Sequence, residues 1–162
     1  MHMREHYQNA YVTRDLDWAQ KRMSEDYGLG GLSRFEVEFP VQTPFGEQLQ
    51  ATKVASAWAG SAARELIEPV SGYIAPFEAF LPDDPGDPAL RFHHFAQRRE
   101  SMAEVAADIA KTGLGIACQG GIPDLTYTYL DARATLGHFV ELGWATPAGW
   151  EMIGWPKDRV VR

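Results

Sequence analysis

Four polar residues in two matched pairs have the types and the spacing to bind one metal ion. Gln8 pairs with Glu65 in the first half of the chain, and His94 pairs with Glu141 in the second. In each half the first residue lies on an opening strand and is followed two positions later by an alanine, whereas the carboxylate lies on the last strand. Two such halves packed together would bring all four side chains into one cup. The pattern therefore predicts a metal site that the two halves share.

The donor set of two carboxylates, one amide and one imidazole suits a hard or borderline divalent ion. We expect Zn²⁺, Ni²⁺, Co²⁺ or Mn²⁺ ahead of Fe²⁺, and we do not expect a structural zinc because that site prefers thiolates. Such an ion, with a position left open, polarises a carbonyl and stabilises an enediolate, while a loosely held carboxylate takes a proton from the adjacent carbon. These residues indicate a metal-dependent enzyme with a small-molecule substrate.

The period of two along a strand selects the ligands from among their neighbours. Gln8 shares a face with Ala10, and His94 shares one with Ala96, so that a small side chain leaves room beside each ligand. His93 is expected to point away from this face, which makes His94 the better ligand.

The same alternation separates other polar residues from the expected cup. Glu65 and Glu141 face it, whereas Glu68 and His138 fall on the opposite faces and are interpreted as packing or surface residues. Arg98 shares the face of His94 and is predicted to meet an anionic substrate group, with an exposed strand edge as the alternative. The candidate substrate-binding residues are Arg98, Phe139, Tyr127 and Tyr129.

The elements that carry these residues form the order βαβββ twice. Strands are predicted at about 6–12, 35–39, 53–58 and 64–68, and again at about 92–97, 115–119, 125–131 and 137–142. Asp15 is expected to cap the first helix, and Ser101 with Glu104 forms a capping box for the second. Residues 71–90 are rich in Pro and Gly and predict a connector with a short helical piece at about 75–80. The tail 146–162 is expected to cover a sheet edge.

Length and composition limit the class of protein. A chain of 162 residues is expected to form a single domain, with module one at about 5–70 and module two at about 91–145. Its net charge of −7 argues against nucleic acid as a partner. No apolar run reaches the length of a membrane span, and no signal-peptide pattern opens the chain. Cys118 is the only cysteine, which excludes an internal disulfide and favours the cytoplasm.

Four short motifs occur in the order found in the vicinal oxygen chelate superfamily, and the chain resembles that superfamily to about residue 145. They are the runs at 8–17, 65–69, 93–96 and 137–141. The resemblance implies an α+β fold in which two βαβββ modules form a cup-shaped eight-stranded mixed sheet. It also implies a glyoxalase-type lyase, isomerase or epimerase with Gln8, Glu65, His94 and Glu141 as metal ligands and Glu141 as the displaceable base. Homodimers are common in this superfamily.

Departures from the known patterns leave the substrate open. The Arg and Asn residues by which glyoxalase I contacts glutathione have no match, and at the second catalytic Glu of methylmalonyl-CoA epimerase the nearest residues are Gln50 and Lys53. A thiohemiacetal, a CoA ester and an aromatic compound all stay candidates. One alternative function is a metal-silent module that binds drugs or aromatic ligands. A weaker alternative is an extradiol-type dioxygenase, whose iron ligands of His, His and Glu do not match Gln8 and Glu65.

Overall fold

Eight strands form one ring of hydrogen-bonded neighbours in the order β1-β4-β3-β2-β6-β7-β8-β5. We describe residues 5–156 of a computed structural model. The strands are β1 (His6–Val12), β2 (Ser33–Thr43), β3 (Gly46–Ala59), β4 (Ala62–Gly72), β5 (Arg91–Arg99), β6 (Ile116–Ile122), β7 (Leu125–Leu130) and β8 (Phe139–Ala145). The helices are α1 (Leu16–Tyr27), α2 (Ala75–Glu78), α3 (Met102–Thr112), α4 (Arg133–Leu136) and α5 (Pro147–Met152). The predicted α+β fold with an eight-stranded mixed sheet is confirmed.

The two βαβββ modules repeat the same pairing. In each, the first strand runs parallel to the last, β1 beside β4 and β5 beside β8, and the remaining neighbours are antiparallel. The modules join along the antiparallel pair β1–β5, while β2 meets β6 only at Gln42 and Gln119. The ring is thus firmly joined at the seam that carries the two first strands and barely joined on the other side, which makes it a cup.

The longer helices pack on the outside of the cup and leave its interior free. The side chain of Asp15 accepts a hydrogen bond from the backbone N–H of Trp18, and α1 then buries Leu16 and Ala19 in a cluster with Leu66. Ser101 caps α3 in the same way, and Val105 of that helix packs against β7 and β8. Both predicted N-caps are confirmed. Among the described residues, none of the helices has the length and apolar character needed to cross a bilayer.

Several strands extend beyond the predicted bounds. The strand predicted to end at residue 39 continues through Pro40, which forms part of the β2–β3 ladder opposite Leu49. Proline is tolerated because β2 has almost no partner on its other side, so its missing N–H breaks no ladder there. The tail prediction is tested only in part, because residues 157–162 lie outside the described residues. Up to residue 156, the tail packs as α5 and an aromatic turn against Tyr7 and Trp58.

Candidate metal centre and substrate cavity

The four predicted ligands lie together at the seam between the modules. Nε2 of His94 is 3.1 Å from Oε2 of Glu141 and 3.9 Å from Oε2 of Glu65. Nε2 of Gln8 lies 2.8 Å from that same Glu65 oxygen. His94 is fully buried, and Gln8 and Glu141 are nearly so. Each module thus contributes one donor from its first strand and one from its last.

The register of the strands explains why an alanine follows each first-strand donor. Ala10 lies between Glu65 on β4 and His94 on β5. Ala96 likewise lies between Gln8 on β1 and Glu141 on β8. Both alanines are fully buried, so a larger side chain at either position would enter the space where the four donors meet. The alanine signal in the sequence therefore has a direct geometric cause.

The spacing of the donor atoms is compatible with one shared ion. Two donors about 2.1 Å from an ion lie about 3.0 Å apart at a right angle and about 4.2 Å apart on opposite sides, and the three distances above fall in or close to this range. Nε2 of His94 is buried and makes no hydrogen bond of good geometry within the described part of the chain. An imidazole nitrogen so placed, facing two carboxylates, fits a metal ligand.

The donors do not form a finished cage by themselves. Within residues 5–156, no three His, Cys, Asp or Glu side chains are arranged so that they alone could hold a metal ion. An ion here would therefore need the amide of Gln8 as well. The amide nitrogen faces Glu65 in the structure, and a half-turn of the amide, whose O and N ends have nearly the same shape, presents its oxygen instead.

The electrostatics of the two carboxylates favour a cation. Burial, followed by the nearby charge of Glu141, raises the pKa of Glu65 to about 8. Two largely buried carboxylates that face the same imidazole nitrogen either share a proton or bind a positive ion. The set of Gln, His and two Glu thus suits a divalent ion, whose charge the two carboxylates offset.

Tyr7 belongs to the site although the alternation of strand residues places it on the other face. Its hydroxyl donates a 2.8 Å hydrogen bond to Oε1 of Glu141. The pairing of β1 with β5 passes from His6 to Gln8, so that Tyr7 is the extra residue of a β-bulge. A bulge of this kind turns a side chain that alternation assigns to the outside. Burial, and secondarily the charge of Glu141, raises the pKa of Tyr7 well above its usual value, so the phenol stays protonated and donates.

The prediction that His93 points away from the cup is wrong. The pairing of β1 with β5 also shifts between Ala10 and Tyr11, which face His94 and Phe92 and leave His93 as the extra residue. Its ring is fully buried and stacks on Phe77 with ring centroids 5.0 Å apart. The bulge again reverses the face. Tyr7 and His93 thus occupy equivalent positions, each directly before a predicted ligand.

His93 orients its neighbour. Nδ1 of His93 lies 2.8 Å from Nδ1 of His94, so one of these nitrogens donates to the other. Nε2 of His93 contacts the carbonyl oxygen of Pro76 at 3.3 Å. Burial lowers the pKa of His93 well below its usual value, which keeps the ring neutral. With Nδ1 of His94 occupied in this way, its Nε2 is the nitrogen left for the site.

A cavity of about 740 Å³ opens from the donors towards the rim of the cup. Gln8, Glu65 and Glu141 form part of its lining, and His94 lies directly behind them. Its size lies within the range of small-molecule sites. The apolar part of the wall includes Phe35, Val37, Phe39, Trp58, Leu125 and Met152.

Comparisons with known proteins give structural matches alone: no protein-family model matches the chain, and neither does any curated protein sequence. A hypothetical protein from Bacillus halodurans C-125 has a TM-score of 0.58 and 18% identity over 90% of this chain and 96% of its own. Methylmalonyl-CoA epimerase from Mycobacterium tuberculosis has a TM-score of 0.55 and 12% identity, over 89% of each chain. A variant of the Streptomyces coelicolor epimerase, in complex with 2-nitronate-propionyl-CoA, has a TM-score of 0.51 and 17% identity, over 90% of this chain and 99% of its own. The chain shares its fold with these solved structures. At these identities the likeness establishes the fold alone.

Two of the four predicted substrate-binding residues line the cavity. Tyr127 and Tyr129 stand on one wall, with ring centroids 5.0 Å apart. Phe139 lies outside the lining and packs against His93 and Tyr129. Its position makes it a support for the histidine pair.

Arg98 also lies outside the cavity lining. Strand alternation holds, because Arg98 follows His94 and Ala96 on one face of β5. Its guanidinium carbon, however, lies 4.7 Å from the ring centroid of Trp150 and 4.6 Å from that of Trp155. Its Nε is 2.9 Å from a carboxylate oxygen of Glu100. The tail covers this position, which sequence periodicity does not indicate.

Gln50 and the carboxylate of Glu68 lie on opposite sides of the sheet. Gln50 lines the cavity, where Oε1 accepts a hydrogen bond from the hydroxyl of Tyr127. Glu68 accepts a hydrogen bond from the backbone N–H of Leu16 at the start of α1 and pairs with Lys53 at 2.7 Å. Gln50 thus belongs to the cavity wall, whereas Lys53 and Glu68 lie on the outer surface, as predicted for Glu68.

Proposed function

We propose that this protein is a divalent-metal-dependent epimerase, isomerase or lyase of the glyoxalase type, which transfers a proton on a carbon next to a substrate carbonyl. The observation that carries the proposal is the convergence of Gln8, Glu65, His94 and Glu141 at the inner end of a small-molecule cavity. Zn²⁺, Ni²⁺, Co²⁺ and Mn²⁺ are the ions that this donor set favours. When bound, such an ion would polarise the carbonyl and make the adjacent C–H more acidic.

Glu141 is the residue that we assign as the base. Its two oxygens have different surroundings, because Oε1 accepts the hydrogen bond of Tyr7 and Oε2 faces Nε2 of His94. The Tyr7 hydrogen bond would hold the carboxylate in place while its other oxygen takes up and returns a proton. Gln8 and His94 can bind the metal ion but are less suited to act as the base. The amide of Gln8 is not basic, and the free nitrogen of His94 faces the carboxylates.

The shape of the cavity supports proton transfer over hydrolysis. The wall that leads to the four donors is mainly apolar, so a bound substrate would exclude bulk water from Glu141. Water is then kept from attacking the bound substrate, which favours proton transfer by Glu141. The names of two of the similar structures, methylmalonyl-CoA epimerases, agree with this reaction class.

Metal content per chain is the first test. By plasma mass spectrometry we expect about one divalent ion per chain in untagged wild type. The metal content of Glu141→Ala should be well below that of wild type. The matched control is Glu38→Ala, which removes an exposed carboxylate from β2 and should keep the ion. With the ion present, Glu141→Gln should abolish exchange of a substrate α-proton with solvent deuterium while leaving the circular dichroism spectrum unchanged. Wild type that cannot be loaded with any of the four metals would contradict the proposal.

A second candidate function is a metal-silent binding protein of the same fold. The observation that favours it is the mainly apolar lining, with Phe35, Phe39 and Trp58 around a cavity large enough for an aromatic ligand. This function predicts tight uptake of such a ligand in the absence of metal and no effect of Glu141→Gln on its affinity.

A further inference from the structure

The charges that line the cavity are all of one sign. Glu65 and Glu141 are the charged residues of the lining, and no Lys, Arg or His is found among the cavity-lining residues within the described ranges. The remaining polar groups of the wall are neutral, among them Gln50 and Thr52. An anionic group that entered this cavity would lose its solvation and find no fixed cation in the wall.

Several cations on the strands of the cup lie outside the cavity lining. Arg64, beside Glu65 on β4, donates a hydrogen bond to the carbonyl oxygen of Ala63. Arg34, between Ser33 and Phe35 on β2, pairs with Asp17 of α1. Lys53 pairs with Glu68 on the outer surface. Arg98 is stacked on Trp150 and Trp155 and contacts Glu100. A carboxylate thus accompanies Arg34, Lys53 and Arg98 outside the cavity lining.

A bound divalent ion would not alter this balance, because its two charges are offset by Glu65 and Glu141. The centre as a whole would be neutral towards a substrate. A compound such as methylmalonyl-CoA carries a carboxylate on the carbon next to its thioester carbonyl, together with phosphates. Among the described residues, the wall of the cavity offers neither group a cationic partner.

The wall offers aromatic surface instead. Phe39 and Tyr127 lie with ring centroids 6.1 Å apart, and Tyr127 continues to Tyr129 at 5.0 Å. Trp58 stands at the rim, where its indole N–H is fixed by the carbonyl oxygen of Ile153. Rings held in this way present flat, apolar faces to a ligand.

We infer that the substrate of this site, on the function proposed above, is an uncharged molecule with a flat apolar body. The body fills the aromatic part of the cavity, and a carbonyl-bearing end reaches the donors between the two modules. Anionic thioesters and glutathione conjugates are then excluded as substrates whose charged part enters the cavity.

Two fluorescent probes that differ by one sulfonate provide the test. Phenylnaphthylamine is neutral, and anilinonaphthalene sulfonate is the same ring system with one negative charge. We expect metal-loaded wild type to bind one phenylnaphthylamine with a dissociation constant roughly tenfold or more below that of the sulfonate. Equal affinities, or tighter binding of the sulfonate, would overturn the inference.

A charge placed inside the cavity should reverse the preference. Val37→Lys adds a cation to the lining, and we expect it to weaken phenylnaphthylamine and strengthen the sulfonate. Leu49→Lys is the matched control, since it makes a similar change at a residue that is 57% exposed and outside the lining. The control should keep the wild-type ratio. If Val37→Lys does not fold, the wild-type ratio and its competition by a neutral aryl ketone decide the question.

Metal analysis of the same samples separates this inference from the proposed function. Metal-loaded protein that prefers the sulfonate would contradict the uncharged substrate and leave the metal enzyme standing. Protein that takes up no metal and prefers phenylnaphthylamine would contradict the metal enzyme and retain the neutral cavity as a binding site.

Discussion

The hydroxyl of Tyr7 donates a 2.8 Å hydrogen bond to Oε1 of Glu141, which joins the first strand of one module to the last strand of the other. Both side chains are buried, so the bond holds a carboxylate that could otherwise turn within the site. The contact depends on the bulge that turns Tyr7 inward. It therefore links a local irregularity of β1 to the geometry of the residue that we assign as the base.

Tyr7→Phe should lower the free energy of unfolding by about 2 kcal/mol, because it removes a hydrogen bond to a charged group and leaves that group buried. We also expect slower exchange of the substrate α-proton with solvent deuterium. The bound metal should be retained, since Glu141 itself remains. Denaturant unfolding, metal analysis and isotope exchange measure the three effects. Tyr11→Phe, on the same strand against Phe92, is the control. Unchanged exchange in Tyr7→Phe would show that the bond has no part in positioning the base.

Removal of metal should destabilise the folded chain. An ion at about a hundred times its dissociation constant contributes about 2.7 kcal/mol to the free energy of unfolding. A chelator should therefore lower the melting temperature of wild type, and re-addition of metal should restore it. His94→Ala should show no response to either treatment. His138→Ala removes a ring that contacts Phe92 and Phe95, and this control should respond like wild type. A wild-type melting temperature that a chelator does not change would contradict a resident ion.

The buried thiol of Cys118 should be inert in the folded protein. Burial raises its pKa to about 12, so little thiolate is present near pH 9. Because the unfolded chain releases this proton at a lower pH than the folded one, stability should fall as pH rises above about 9. Iodoacetamide at pH 9, followed by mass spectrometry with and without urea, measures the reactivity. Cys118→Ala should remove the part of the alkaline loss of stability that the thiol causes. Rapid alkylation of wild type without urea would contradict a buried thiol.

Phe77 should be the most important residue of the connector for stability. Its side chain is 2% exposed, stacks on His93 and meets Tyr129 edge to face with ring centroids 6.0 Å apart. Phe77→Ala should therefore lower the free energy of unfolding by about 3–5 kcal/mol. Phe45→Ala, at a ring that is 81% exposed, should change it by less than about 0.5 kcal/mol. Urea unfolding of both variants compares them, and similar losses would mean that the connector does not support the histidine pair.

The fold and the pairing of the donors follow from patterns that a strand imposes on its sequence. Gln8 and His94, each followed by an alanine, mark the first strands, and the repeated βαβββ order gives the eight-stranded cup. The structure brings the predicted donors together for the same reason, since the register places each alanine between two of them. Binding of a metal stays a prediction.

The residues that sequence reasoning missed depend on irregularities and on distant contacts. Tyr7 and His93 point inward because of bulges, and a bulge reverses alternation without a fixed residue type to mark it. Arg98 keeps its predicted face but is covered by Trp150, which lies about fifty residues further along the chain. A ring preceding each predicted ligand, Tyr before Gln and His before His, is the one sequence signal that could have indicated the inward turn.

The side chains along the seam between β1 and β5 make the site asymmetric. Two identical halves related by a two-fold axis would present the same donors to both sides of a bound molecule. Here one first strand supplies an amide and the other an imidazole, and the residues before them are a phenol that contacts a carboxylate and a second imidazole that contacts the first. The symmetry of the backbone is thus broken by the side chains. The two faces of a planar carbon bound at this centre would therefore meet different side chains.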